Sequence, residues 1–404
     1  MVIKVRWEGV GEVMEQYVNK NKKQLRCGIT TGTCAAAAAQ AAARHLVFGM
    51  ESKEVTIYTP KGVTVVVPVE FVTSLKDKVE YLVVKDSGDD PDVTNHTKIY
   101  VSVEKRDIDN AKALKIFEDE SKQFCLDGGE GVGRITQKGL EQEIGYAAIN
   151  TVPRKMIFET VRGVCQIGEY KEKLFIQICV PEGKNLAKKT FNPRLGIEGG
   201  ISILGTSGIL EPMSEKAIID TIEVEIRQKK AMGKERILVT PGNYGKSYVA
   251  KYLGLDMESS IKCSNYIGET LDLAVTYEIK QLLLVGNIGK LVKMAAGVMN
   301  THSKVADARC EVFAAYAGLC GGTKESLEQI MECKNTDEML AVLEKEGIKE
   351  TVLERICKRI HEQVAQRVGE ELEFGIMLFS EKYGFLGQTK DAGKILSAFE
   401  RNIR

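Results

Sequence analysis

QLLLVGNIGKLVKMAAG (281–297) decides how the chain's second half is read. Leu282 to Val285 form an apolar run too short for a helix and well suited to a strand buried on both faces. Gly286 and Gly289 mark a tight turn, and the residues after them read as a helix. Three neighbouring stretches repeat the unit. ISIL (201–204) runs into GTSG and a helical segment from Ser214 to Met232. RILVT (236–240) runs into PGNYG and a helix, and SIKC (260–263) runs into SNYIG and a helix. Short apolar run, glycine turn and helix, four times over, is the pattern of a parallel α/β sheet. The expected second domain is therefore Rossmann-like, α/β with a mostly parallel sheet, over 195–404. From about Thr323 it continues as a helical extension with one late strand, FGIMLFS (374–380).

Upstream the rhythm differs. Short β-rich runs, VTIYT (55–59), VTVVVPV (63–69), YLVVK (81–85), KIYVSV (98–103) and KLFIQICV (173–180), alternate with polar, glycine-bearing loops. Before them stands RCGITTGTCAAAAAQAAARHL (26–46), with a helix expected from Thr33 to His45. The expectation for 1–194 is a mixed α+β domain. A chain of 404 residues exceeds one ordinary core, so two domains are the default.

Lys plus Arg and Asp plus Glu both number 56, so the formal net charge is zero, against the basic excess of a nucleic-acid protein. No run approaches the ~18 apolar residues of a membrane span, and MVIKVRWEGVGEVMEQ lacks the apolar core of an export signal. The 10 cysteines include no C-x-x-C pair, so they read as reduced thiols in a cytoplasm, with no protein metal site.

In an open parallel sheet, ligands bind beyond the carboxyl ends of the strands. The turns expected there are Gly205-Thr206-Ser207-Gly208, Pro241-Gly242-Asn243 with Gly245, Asn265 with Gly268, and Gly286. Glycine allows positive φ and close approach of a ligand to the backbone, which suits a nucleoside-type cofactor. Tight βα turns need glycine in any case, so both readings stand. GNYGKS (242–247) is not a phosphate loop, because only two residues separate its glycines where four are required. The shared Gly-Asn-x-Gly-Lys of 242–246 and 286–290 is either a fossil duplication or convergence of α/β turns.

Downstream, Lys290 and Lys293 share a helix face at i,i+3. Thr301, His302, Ser303, Lys304 and Arg309 follow closely, a cationic, hydroxyl-rich set for a polycarboxylate ligand, with His302 able to move a proton. A solvated helix end has the same composition. In KDSGDDPDVT (85–94), Pro91 and the missing terminal Glu break the calcium-loop pattern, leaving the aspartates, Asp89 and Asp90 above all, as candidates for proton transfer or for binding a substrate hydroxyl. Thr30, Thr31, Gly32 and Thr33 start the alanine helix as a capped, N–H-rich end that favours an anion, while the alanines admit either a close helix or a broad flat ligand.

RCGITTGTCAAAAAQAA, KDSGDDPDVT, GVGRITQKGL, INTVPRKMI, NPRLGIEGGISILGTSGILEPMSE, VTPGNYG and GNIGKLVKMAAGVMNTHSKVADAR occur in the order found in the CbiD family, which the chain resembles from about residue 24 to beyond 310. The resemblance implies transfer of a methyl group from S-adenosylmethionine to C-1 of cobalt-precorrin-5B, giving cobalt-precorrin-6A in anaerobic cobalamin biosynthesis. Cobalt would then arrive only inside the tetrapyrrole substrate. Arg134 and Arg194 join the cations that could dock its carboxylates. A homo-oligomer is left open. Three positions depart from the family pattern: Ile29 replaces a Tyr, Asn287 replaces a His, and Asn95-His96 replaces His-Gly. The second departure moves the expected proton chemistry to His302 and the aspartates. Two rivals are a nucleotide-dependent kinase, suggested by the Gly-Lys turns, and a non-catalytic corrinoid carrier, suggested by the alanine helix.

Overall fold

A computed structural model describes residues 5–7, 10–13, 16–20, 23–106, 108, 115–242 and 260–400. The chain forms two compact units, Met1–Ser214 and Glu215–Arg404. The boundary thus lies at 214/215 and not near 194. Residues 195–214 are tied into the first unit by pairing: Ile197–Glu198 runs antiparallel to Arg134–Ile135, and Ile209–Leu210 antiparallel to Gly28–Ile29.

In the first unit a six-stranded sheet has the order Phe117–Glu118, Phe124–Gly128, Leu174–Cys179, Lys98–Lys105, Lys78–Val84, Glu70–Leu75. All neighbours are antiparallel except Phe124–Gly128 with Leu174–Cys179. The alanine helix, Thr31–Phe48, packs on this sheet and against the helix Thr151–Ile167. Thr30 caps it by accepting from Thr33 N–H, and Gly49 ends it in the left-handed region at φ 68°. Thr151–Ile167 turns Met156, Ile157, Val161, Val164 and Cys165 inward at helical spacing, with Pro153 in the first turn, where its missing N–H costs nothing. Ala35 to Ala39 and Ala41 to Ala43 are all fully buried. Their small side chains serve close packing of helix on helix and helix on sheet, so the smooth face is not a ligand surface.

In the second unit the strand order is Ile261–Lys262, Arg236–Thr240, Gln281–Asn287, Glu373–Ser380, Gly384–Gln388. The first four are parallel and the last is antiparallel. The strands read as unbroken apolar runs because both faces are covered. Ile237, Val239, Leu282, Leu284, Ile376 and Leu378 join one core with the helices Ile267–Thr276 and Lys349–Val368. Leu238, Leu283, Val285, Met377 and Phe379 join another with Ala392 and Ile395.

ISIL (201–204) is not a strand of this sheet. Ile201 and Ile203 make isolated bridges to Val132 and Ile149 in the first unit. The helix expected after PGNYG lies outside the described residues, as do Asn243 and Gly245.

Candidate functional site

Within the first unit, residues 26–33, 85–92 and 204–213 meet. Gly28 and Gly88 let two backbones cross at contact distance: a Cβ on Gly28 would lie 2.2 Å from Ser87 C, and one on Gly88, at φ +61°, 2.3 Å from Arg26 O. Arg26 grips Asp86 with both terminal nitrogens at 2.6 and 2.7 Å, and its N–H donates to Asp89 Oδ2 at 2.6 Å. Burial works to raise the Asp86 carboxyl, but Arg26 and the Gly88 N–H outweigh it and hold it below the usual range. Lys85, only 1% exposed, donates to Ser87 Oγ at 2.7 Å and to Asp92 Oδ2 at 2.5 Å. Asp90 accepts from Met213 N–H at 3.1 Å, and burial raises its carboxyl.

The start of the alanine helix is occupied by protein. Thr30 N–H and Thr33 Oγ1 donate to Gly208 O at 3.2 and 2.6 Å, Gly32 N–H donates to Leu204 O at 2.9 Å, and Thr33 N–H goes to Thr30 Oγ1. Thr30, Thr31 and Thr33 are buried. The expected anion-binding end is therefore a closed joint. Gly205 and Gly208 belong to it: a Cβ on Gly205 would sit 2.2 Å from Thr30 Oγ1. Gly205-Thr206-Ser207-Gly208 thus follows no strand of the parallel sheet. Arg134 is committed to Asp127 Oδ2 at 2.6 Å and Gly128 O at 2.8 Å, and Arg194 stands over the Phe191 ring.

Within the second unit the carboxyl ends of the parallel strands form a second locus. Arg236–Thr240 leads to Ile261–Lys262 on one side, and the chain then crosses to Gln281–Asn287 on the other. The direction of winding reverses between Arg236–Thr240 and Gln281–Asn287. Gly286 brings them together at their ends, with no room for a Cβ between Pro241 and Leu291. Around Gly242, by contrast, no described residue lies within 4 Å of an added Cβ. Asn287 Oδ1 accepts from Gly289 N–H at 2.8 Å, and Thr301 N–H donates to Asn265 O at 2.9 Å. Gly268 N–H donates to Met299 O. Lys290 Nζ reaches Pro241 O at 3.2 Å and Ser264 O at 3.4 Å, linking the turns after two neighbouring strands. Ser264 presents its carbonyl from a positive φ of 53°. Thr240 Oγ1, fully buried at the strand end, has no hydrogen-bond partner among the described residues.

Lys293 does not face outward as its spacing to Lys290 implies. It is 3% exposed and donates to Thr301 O at 3.2 Å and Ala306 O at 3.0 Å. The 3₁₀ turn Val292–Ala296 rotates it inward, so it anchors the 301–306 loop. Arg309 chelates Asp307 at 2.8 and 2.6 Å, which holds that carboxyl at about 2. His302, Ser303 and Lys304 are exposed, and His302 Nδ1 accepts from Lys304 N–H at 3.1 Å.

Residues 18–212 match the CbiD family model, and residues 300–390 match the model of the CbiD C-terminal domain. The chain is 46% identical to the cobalt-precorrin-5B C(1)-methyltransferase of Ruminiclostridium cellulolyticum, over 91% of this chain and 92% of that one. The chain belongs to the CbiD family. Its similarity extends to the proteins of the same name from Thermoanaerobacter sp., at 42% identity over 93% and 98% of the two chains, and Methanocaldococcus jannaschii, at 37% over 91% and 97%. A crystal structure of the cobalamin biosynthesis protein cbiD from Archaeoglobus fulgidus is 29% identical, over 72% of this chain and 86% of that one, with a TM-score of 0.38. Among the described residues no helix is long and apolar enough to cross a membrane.

Three of the CbiD segments read from the sequence, those around 26–33, 85–94 and 204–213, meet at one joint of the first unit. Arg26, Lys85, Thr240 and Ser264 are the residues that sequence reasoning missed. Lys85 had a signal: it is the one cation opening a loop of four aspartates, hence their counter-ion. Thr240 had one too, as the last strand residue before a Pro-Gly turn. Ser264 had none, since nothing in SNYIG announces a positive φ.

Proposed function

We propose that the chain is a cobalt-precorrin-5B C(1)-methyltransferase that takes its methyl group from S-adenosylmethionine. Identity at 46% to a relative of that name, over nine-tenths of both chains, supports the reaction. The observation that carries the donor's place is the reversal of strand order between Arg236–Thr240 and Gln281–Asn287, in a unit that reads as Rossmann-like. Ligands of open α/β sheets sit at such a reversal, beyond the carboxyl ends of the strands. Pro241-Gly242 and Gly286-Asn287 border it there, with Asn265 and Gly268 on the next turn.

S-adenosylmethionine supplies an electrophilic methyl group on a sulfonium. What the chain adds is alignment and a water-poor wall for the donor. The tetrapyrrole brings its own cobalt and electron-rich carbon. Ser303 and Lys304, exposed on the 301–309 loop, are the proposed partners for its carboxylates, with His302 beside them to move a proton. Of the two aspartates, Asp90 fits proton exchange better, because burial raises it while Asp89 is tied to Arg26 N–H. The reaction is assigned to the cytoplasm.

Calorimetry with S-adenosylhomocysteine tests the donor site. Gly242→Val should fold as the parent does, since the described neighbours leave its Cβ free. Its side chain should then weaken S-adenosylhomocysteine by about tenfold or more by occupying ligand space. Parent-like affinity in the folded variant would remove the donor from this turn.

A further inference from the structure

Among the described residues Lys290 presents a charge imbalance. Its ammonium is half-buried and carries three N–H donors. Two are spent on the carbonyls of Pro241 and Ser264. Neither acceptor carries a full negative charge, and among the described residues no carboxylate lies within ion-pair distance of it. The neighbouring Lys293 shows what a structural lysine looks like here: 3% exposed, held by Thr301 O and Ala306 O, with Asp307 Oδ1 at 4.0 Å.

A half-buried cation without a counter-charge is costly unless a ligand supplies the anion. The position of Lys290 says which ligand. It follows the turn at Gly286 and lies at the carboxyl ends of Arg236–Thr240 and Ile261–Lys262. Burial lowers the affinity of Lys290 for its proton, a tendency that an arriving anion reverses. The carbonyls of Ser264, at φ 53°, and of Pro241 hold the ammonium at the strand ends and leave a third donor for a ligand.

We infer that Lys290 binds the α-carboxylate at the amino-acid end of the methyl donor. The inference rests on the donor site proposed above. It assigns Lys290 to the donor, where the sequence suggested the ring. It also makes the amino-acid end of the donor, and not only its nucleoside, a determinant of binding at this locus.

The test compares two probes on the full chain by calorimetry: S-adenosylhomocysteine, which carries the carboxylate, and 5′-methylthioadenosine, which lacks the amino-acid end. Lys290→Met should weaken S-adenosylhomocysteine by about tenfold or more, the scale of one charge-assisted hydrogen bond, and leave 5′-methylthioadenosine unchanged. Equal weakening of both probes would make Lys290 a structural tie only and overturn the inference, as would parent-like affinity for both. If Lys290→Met fails to fold, Lys290→Gln keeps donors for the carbonyls without the charge and is read by the same contrast. Failure of the parent chain to bind either probe would instead overturn the donor site itself.

Discussion

Leucine placed at Ala37 should damage stability before it touches binding. Ala37 lies mid-way along Thr31–Phe48 and is fully buried, as are the alanines on either side of it. The helix is enclosed by the strands Lys78–Val84 and Lys98–Lys105 and by the helix Thr151–Ile167. Three added carbons have no space on that helix, and overpacking of this kind costs ~1–3 kcal/mol. For a unit of this size that lowers the melting temperature by roughly 2–12 °C. Gln40 on the same helix is the control. It is only half-buried, and its Oε1 is shielded from water with no partner among the described residues. Gln40→Leu therefore removes an orphan acceptor and should melt at or above the parent temperature. Thermal unfolding followed by circular dichroism reads both variants, and calorimetry with S-adenosylhomocysteine reads their binding. If Ala37→Leu melts with the parent yet loses activity, the helix does face a ligand and the packing account is wrong.

Two further outcomes follow from the first unit. Asp92→Asn keeps an oxygen beside the Lys85 ammonium but removes the charge paired with it, at a cost of about 3 kcal/mol near neutral pH. Burial works to raise the Asp92 carboxyl, but Lys85 and the Thr94 contacts hold it below the usual range. Its stabilisation is therefore present above the unfolded value of about 4 and lost as pH falls through the folded value. The melting gap between variant and parent must close on acidification, and a gap of constant width down to strongly acid pH would contradict the pairing. Gly163 sits inside Thr151–Ile167 with no described residue within 4 Å of an added Cβ, so Gly163→Ala should stabilise by about 0.5–1 kcal/mol in denaturant titrations; a loss of stability would mean the position is not open.

The second unit was legible because its signal is local and repeated. LLLV (282–285) and ILVT (237–240) announce strands buried on both faces, and the glycine after each announces the turn. ISIL (201–204) carries the same local signal and is no strand of that sheet. Its fate depends on Val132 and Ile149, which are distant in sequence, and on the partners of Gly205 and Gly208 at the alanine helix. A short apolar run followed by glycine is compatible with either outcome. Only the pairing of 197–198 and 209–210 back onto the first unit decides it, and pairing is not written into the run itself. The alanine helix shows the same limit from the other side. Its composition announces close approach, but whether by a helix or a ligand depends on Thr151–Ile167, more than a hundred residues later.

The candidate site was less legible because polar side chains have alternatives that apolar ones lack. A valine in a strand must be buried somewhere, so its pattern constrains the fold. A lysine can be satisfied by a ligand, by a carboxylate or by a carbonyl, and the sequence does not distinguish them. Lys290 and Lys293 show the difference within one turn. The spacing puts both on one face of a regular helix. The switch to a 3₁₀ turn at Val292 sends Lys293 inward to Thr301 and Ala306 and leaves Lys290 at the strand ends. The identical residue type therefore closes a loop in one case and, among the described residues, keeps an unspent donor in the other. Within the first unit the same division separates Asp86 and Asp92, which are consumed by Arg26 and Lys85, from Asp90, which accepts from the Met213 N–H. Residues of one type thus divide by the partners that the fold gives them, and those partners are set only once the distant segments have been placed.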